Sequence, residues 1–468
     1  VTNRQLLEIP FTSGRSGVGP ATWGQRAFWD TIRALAPADR PRYNVAGGAP
    51  IDPGLPLPVL VDALAQLLRL HDSLRTRLFP GKDGQLLQTV DAEGTLTLEV
   101  HSCPDTDGLP EAGARLHREL SARTFDTAME WPLHVAVIEA DGLVRYATLA
   151  LPHTAVDGAG MNRLVADLAA LCLGSTPAEL AELRVPARQP LEEAEFQRSP
   201  RGARRDSAGR REFLRKLRSG PARQFPRPAG PPDPGPADPK TAHPEAADPA
   251  ARFPNAVLRS PALAIAVEQV AAGHRASTSS VLLAAVAAMT ARMSGSNDAL
   301  IDVVVSNRFL PELANSVSAV AGEVLLHLPD ADGEFGALVR RTHAAALGGY
   351  LNSYYDRTAL DAQIAELTAE GVPLADRSCV FNDVREVVPP GTDAPGEPGA
   401  TTLTWPVDFE PRPGLTYALD AVQSGEALSL AMTADPAVLP RPEMERFLYG
   451  VEETVLSEAR ALGQVPTA

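Results

Sequence analysis

The stretch LVRYATLALPHTAVDGAGMNRLVADLAALCL, residues 143–173, decides how the chain is read. It opens on an apolar, partly β-branched run, 143–151, of the kind that forms a buried strand. Pro152 stops that strand because it has no N–H to give the ladder, and His153 follows in the turn. From Ala159 onward Met161, Leu164, Val165, Leu168 and Leu171 recur at helical spacing, which predicts a helix starting near Asp157 and Gly158. An imidazole is therefore expected at the end of a core strand, just ahead of a glycine that opens a helix.

The rest of the composition narrows what such a site serves. A chain of 468 residues is too long for one ordinary core, so two lobes are expected. Hydrophobic content of 44% with 22% charged residues is that of a soluble globular protein. A formal net charge of −15 argues against nucleic acid and against anionic membrane as partners. Cys103, Cys172 and Cys379 are widely spaced, with no CxxC and no metal-ligand rhythm. No basic-then-apolar leader opens the sequence and no apolar run reaches spanning length, so a cytoplasmic location is expected.

Around the central stretch the pattern alternates between the two periods. Residues 1–20 read as irregular, and Thr22 as the N-cap of a helix over 23–36. A short strand is predicted near 43–51, a helix over 58–71, strands at 86–90 and 96–100, a helix over 109–123 and a strand at 133–139. An arginine-dense stretch, 198–218, reads as a solvated helix, or else as a patch for phosphate or an acidic carrier. Prolines crowd 221–254 and predict an extended connector. Beyond it come an apolar strand at 262–267, a buried helix over 278–293 and a strand at 300–305. Helices over 335–347 and 358–370, strands at 379–384, 401–409, 415–422 and 427–433, and a helix over 442–461 follow. The expected organisation is an N-terminal lobe 1–185, a connector 186–256 and a C-terminal lobe 257–468, each lobe mixing strands and helices.

Chemically, His153 is suited to moving a proton near neutral pH. Gly158 lets a substrate approach the backbone, and N–H groups at the helix start suit a developing oxyanion. Asp157 attracts an arginine or simply caps the helix. By itself the HxxxDG spacing fits a structural histidine and a capping aspartate as well. A metal held by His153 and Asp157 lacks a third ligand at suitable spacing. GxSxG, GxxxxGK[ST] and GxGxxG are all absent, so the nucleophile is expected to belong to a substrate.

Several stretches taken together resemble the condensation domains of nonribosomal peptide synthetases, within the chloramphenicol-acetyltransferase-like superfamily. WGQRAFW, 23–29, is similar to that family's AQxRLW motif, and RLHDSLRTRLF, 69–79, to its RHExLRTxF motif. PHTAVDG, 152–158, stands where the family carries HHxxxDG, and Asn307-Arg308 with Pro311-Glu312-Leu313 lies near its GRxxPEL pattern. The resemblance implies an α/β fold of two acyltransferase-like lobes in a V with a tunnel between them. It implies a reaction in which a carrier protein presents an acyl thioester on phosphopantetheine and an amine or alcohol attacks it. No bound cofactor is implied. His153 matches the functional histidine, Gly158 the glycine of close approach, and Asp157 a structural residue paired with Arg75. Asn307 and Arg308 become candidates for the substrate channel.

The departures from the pattern carry expectations of their own. Pro152 replaces the motif's first histidine, which unsettles the turn geometry more than the chemistry. The FFVNT-like segment reads AVAGEV, 319–324, and the DxxxxD of heterocyclising relatives is missing, so cyclodehydration is not expected. With no adenylation or carrier domain attached, a free-standing enzyme is expected. The alternatives are a coenzyme-A-dependent acyltransferase of the same superfamily and a non-catalytic recruitment module.

Overall fold

A computed structural model describes residues 3–103, 106–182, 186–225, 252–385, 400–412 and 414–463. The chain divides into two compact units. The first comprises Val1–Arg204 with Ser306–Ala321 and Asp356–Thr358, and the second Arg205–Val305, Gly322–Tyr355 and Ala359–Ala468.

The first unit begins with β1 (Asn3–Thr12) and β2 (Gly17–Pro20), where the sequence reads as irregular. Ile9 and Phe11 are buried in β1 while Leu6, Glu8 and Pro10 face out, a period of two that the proline obscures. Proline is tolerated there because β1 is an edge strand. Then come α1 (Trp23–Ala34), β3 (Asn44–Leu55), α2 (Leu57–Leu70), β4 (Thr76–Pro80), β5 (Leu86–Val90), β6 (Glu93–Ser102) and α3 (Leu109–Ser121). Next are β7 (His134–Ala140), β8 (Leu143–Pro152), α4 (Gly158–Cys172), α5 (Pro177–Glu182) and α6 (Pro190–Arg198), and α7 (Pro200–Ser219) belongs from Arg205 onward to the second unit.

Thr22 does cap α1, in a capping box with Gln25. A five-stranded sheet in the order β1-β6-β7-β8-β3 forms the centre, and β2, β5 and β4 form a smaller sheet. Strand alternation sorts the large sheet's two faces. Val135, Val137, Leu149 and Leu151 share a core with Leu60, Leu64, Leu67 and Leu68 of α2 and Leu164 and Leu168 of α4. Ala136, Ile138 and Ala150 pack with Leu116 and Leu120 of α3. Because α4 must return its apolar stripe to the face that β8 leaves, residues 153–157 are fixed between two buried elements.

The second unit adds β9 (Phe253–Ser260), α8 (Pro261–His274), α9 (Thr278–Ser294), β10 (Ala299–Val305) and β11 (Gly322–Leu328). It continues with α10 (Phe335–Tyr350), α11 (Arg357–Ala369), β12 (Cys379–Asp383), β13 (Thr402–Phe409), β14 (Tyr417–Ser424), β15 (Ala427–Ala434) and α12 (Arg441–Gly463). Its seven strands run β11-β10-β12-β14-β15-β9-β13. Helix α9 is buried without a break from Ser280 to Ala291 and packs among α8, α10, α12 and that sheet.

Three expectations are corrected here. The strand expected at 262–267 lies inside α8, since Ser260 caps the helix by accepting from Leu263 N at 3.0 Å and Pro261 takes the first turn. The connector expected over 186–256 holds helices α6 and α7 and the start of β9, and its proline-dense part, 226–251, lies outside the described residues. Residues 306–321, expected in the C-terminal lobe, pack in the first unit. Among the described residues no single helix is long and apolar enough to cross a membrane.

Candidate active site

His153 leaves the end of β8 in a turn that Pro152 does not disturb. Pro152 still pairs with Asn44 of β3, its carbonyl accepts from Ala155 N at 2.9 Å, and His153 N–H donates to Tyr43 O at 2.8 Å. The missing N–H of a proline costs nothing at the last position of a ladder. The ring is half-buried and lies flat on Phe28 of α1, with centroids 3.8 Å apart and planes 14° from parallel. Tyr43 stands beside this stack, its ring centre 6.5 Å from both Phe28 and His153. Nδ1 is buried and makes no full hydrogen bond. Burial holds the proton affinity of the ring below that of a free histidine, against the opposing pull of Asp157 and of the His153 and Val156 carbonyls. A neutral imidazole results, which is the form that accepts a proton.

Asp157 is the N-cap of α4, as its place before Gly158 predicts, and it also does a second job. Oδ1 accepts from Gly160 N at 2.8 Å and from Arg308 Nη2 at 2.7 Å. Oδ2 accepts from Arg308 Nη1 at 3.0 Å, Val320 N at 3.0 Å and Ala321 N at 2.9 Å. Five donors on one carboxylate, only 2% exposed, hold the ion in place of water. The expected Arg75–Asp157 pair is not formed. Arg75 is fully buried, donates to the carbonyls of Leu68, Arg15 and Asp91, and pairs with Asp72. Arg75 stands three positions after Asp72, so the 3₁₀ turn Asp72–Arg75 brings them together before any distant partner competes.

Arg308 and Asn307, expected along a channel, are used structurally. Asn307 is buried at φ 59° and donates to Val320 O at 2.8 Å, and Arg308 also donates to Ser316 O at 2.9 Å. Together they hold Val320 and Ala321, of the altered AVAGEV segment, against Asp157. Glycines make room for the clamp. A Cβ on Gly160 would stand 3.0 Å from Arg308 Nη2 and 2.9 Å from Val156 Cγ2, and one on Gly24 only 1.9 Å from Ala319 O. The sequence reading gives Phe28 only a place on the apolar face of the helix over 23–36 and does not name Gly24 or Gly160, although Phe28 and Gly24 lie in WGQRAFW and Gly160 in the central stretch.

Gly158 and Ala159, the first two residues of α4, are half-exposed, and their N–H groups make no hydrogen bond among the described residues. Unpaired donors at a helix start accept negative charge. A metal reading fails on geometry, since both Asp157 oxygens are committed. Among the described residues no group of three or more His, Cys, Asp or Glu is placed to hold an ion. Burial pushes the Cys172 thiol up to about 11 and that of Cys379 well above its ordinary value, so neither is a thiolate at neutral pH.

A family model described as Condensation domain matches residues 34–389. Isonitrile lipopeptide synthase of Mycobacterium tuberculosis is 27% identical over 345 residues, covering 71% of this chain and 13% of that protein. Phosphinothricin tripeptide synthetase PhsC of Streptomyces viridochromogenes is 27% identical over 390 residues, 81% of this chain and 34% of that protein. The chain therefore spans a minor part of either relative's length. Among solved structures, the condensation domain of the Monacolin K polyketide synthase MokA aligns with a TM-score of 0.68 at 19% identity, covering 95% of this chain and 98% of that one. The condensation domain that mediates chain release from the enacyloxin polyketide synthase aligns at 0.66 and 19% identity, over 98% of this chain and 85% of that one. At that identity the likeness speaks for the fold, which is the chloramphenicol-acetyltransferase-like one.

Proposed function

The chain belongs to the condensation domain family, and from that premise we propose that it joins a carrier-bound acyl or aminoacyl group to an amine or alcohol. The donor is a thioester on the phosphopantetheine arm of a carrier protein, and the product is an amide or ester of natural-product biosynthesis. The carrying observation is the half-buried His153 just ahead of α4, its proton affinity lowered by burial, next to two unpaired N–H groups.

Nδ1 is buried away from solvent, which leaves Nε2 as the nitrogen offered to the reactants. The nucleophile attacks the thioester carbon as its proton passes to Nε2. Negative charge collects on the former carbonyl oxygen, toward the N–H groups of Gly158 and Ala159. Collapse of the tetrahedral species breaks the C–S bond, and the imidazolium returns its proton to the departing thiolate. No bond to the enzyme forms. The Phe28 stack holds the ring plane while the charge changes.

The test is His153→Ala, assayed by mass spectrometry with a loaded carrier protein and a set of amines and alcohols. Product formation falls by about 10² to 10⁴ while the urea midpoint stays at the parental value. A variant that condenses at the parental rate removes His153 from the mechanism. Turnover of acyl-coenzyme A as fast as of carrier-borne donor would instead identify a coenzyme-A-dependent acyltransferase.

A further inference from the structure

Helix α7 is strongly basic in a chain whose formal net charge is −15, with seven arginines and one lysine against two carboxylates. Its apolar side is well anchored. Phe213, Leu214 and Leu217 are buried in a cluster with Leu300, Leu325, Tyr355 and Leu360. The helix is thus held by its core face, and its charges are not what places it.

On the other side Arg211, Arg215 and Arg218 are exposed at spacings of four and three, which stacks them along one face over about 10 Å. Arg215 is tied to Glu212 at 2.8 Å, and Arg210 to Asp206 at 2.6 Å and Gln363 at 2.7 Å. Arg211 and Arg218 make no ion pair or hydrogen bond among the described residues. Between them lies a cavity of about 220 Å³ lined by Ser207, Arg210, Arg211, Leu214, Arg218 and Gln363. Like charges one turn apart repel, and of the three Glu212 answers only Arg215, so Arg211 and Arg218 are left to anions from outside the helix.

We propose that Arg211, Arg215 and Arg218 form a docking surface for the acidic face of the carrier protein, an inference that rests on the carrier-dependent reading above. Charge complementarity selects this occupant. Three guanidiniums along about 10 Å match carboxylates spaced three and four apart on a partner helix. A long polyanion such as RNA spreads its charge over a wider surface, and the strongly negative remainder of this chain repels it.

The experiment compares the full chain with Arg211→Glu/Arg215→Glu/Arg218→Glu, each checked for parental circular dichroism. If the triple variant does not fold, Arg211→Ala/Arg218→Ala removes the two unpaired groups instead. Donor is supplied either on a holo carrier protein or as an N-acetylcysteamine thioester, which needs no docking. The expected result is a rise of about tenfold or more in KM for the carrier-borne donor, with kcat and the N-acetylcysteamine rate unchanged. Carrier binding by fluorescence anisotropy weakens in parallel, and the parent's binding weakens from low to high salt. Unchanged carrier KM and affinity overturn the proposal, as does loss confined to binding of a single-stranded oligonucleotide. A parent that turns over N-acetylcysteamine thioester but docks carrier independently of these arginines leaves the proposed reaction standing. A parent inert with every thioester, yet binding carrier through them, sinks the reaction and keeps the surface.

Discussion

Two arginine–aspartate clusters in the first unit, each built on a buried carboxylate, use the same chemistry for different ends. In one, Arg75 and Arg15 converge on Asp72, and the partner that anchors Arg75 is three residues away. In the other, Arg308 grips Asp157 from 151 residues away and brings Val320 N and Ala321 N with it. The first cluster closes a turn between α2 and β4. The second ties a distant segment to the start of α4, within a few residues of His153. Equal chemistry therefore has unequal consequences: one cluster maintains the unit, and the other also shapes the site.

The sharpest way to break this contrast is to remove each carboxylate. Asp157→Ala strands the Arg308 guanidinium, whose side chain is only 12% exposed, and is expected to lose about 3 kcal/mol of stability by urea unfolding. Turnover per folded molecule falls with it, since the clamp beside Gly158 is released. Asp72→Ala is expected to cost a similar amount for the stranded Arg75, with turnover per folded molecule unchanged. If Asp72→Ala slows catalysis as much as Asp157→Ala does, the division between the clusters is wrong.

A smaller effect tests the long-range cluster alone. Gly24→Ala forces a Cβ toward the Ala319 carbonyl, and backbone cannot yield as a flexible side chain does. The expected cost is about 1–3 kcal/mol, typical of overpacking. The conformational change is confined to the 306–321 segment and is readable by hydrogen exchange there. Gly160→Ala presses on Arg308 Nη2, the far end of a flexible side chain, and on Val156. It should cost less than Gly24→Ala, and the reverse order would mean that the clamp is tighter on its side-chain face.

The smallest effect is one of pH. Burial lowers the His153 pKa in the folded state, so the unfolded chain binds the proton more readily. The resulting stability is present above about 6.5, the ordinary value, and is lost as pH falls from there through the lowered folded value. His153→Gln should flatten the acid limb of a stability-versus-pH curve. It should not abolish it, because burial lowers His117 and His134 in the same direction. An acid limb as steep as the parent's would place the His153 ring in water.

Much of the site was legible because its signals are local. The strand ending at Pro152, the histidine in the turn and the aspartate capping a helix at Gly158 are all short-range consequences of residue type. So is the capping box at Thr22. What misled was the family resemblance. Arg75 and Asp157 sit in two family motifs, and pairing them ignores that Arg75 meets Asp72 one turn earlier. Strand β1 was illegible for a related reason, its alternation of Leu7, Ile9 and Phe11 being interrupted to the eye by a proline that an edge strand accepts.

The sequence alone determined the elements around the site, the acidic balance and the arginine face of α7, because periodicity, capping and charge act over a turn or two of chain. Only the tertiary structure decided which cation answers Asp157, that Phe28 lies against His153, and that residues 306–321 join the first unit. Those choices are made by packing between segments far apart in the chain. Several partners there are chemically acceptable, and only one can be reached.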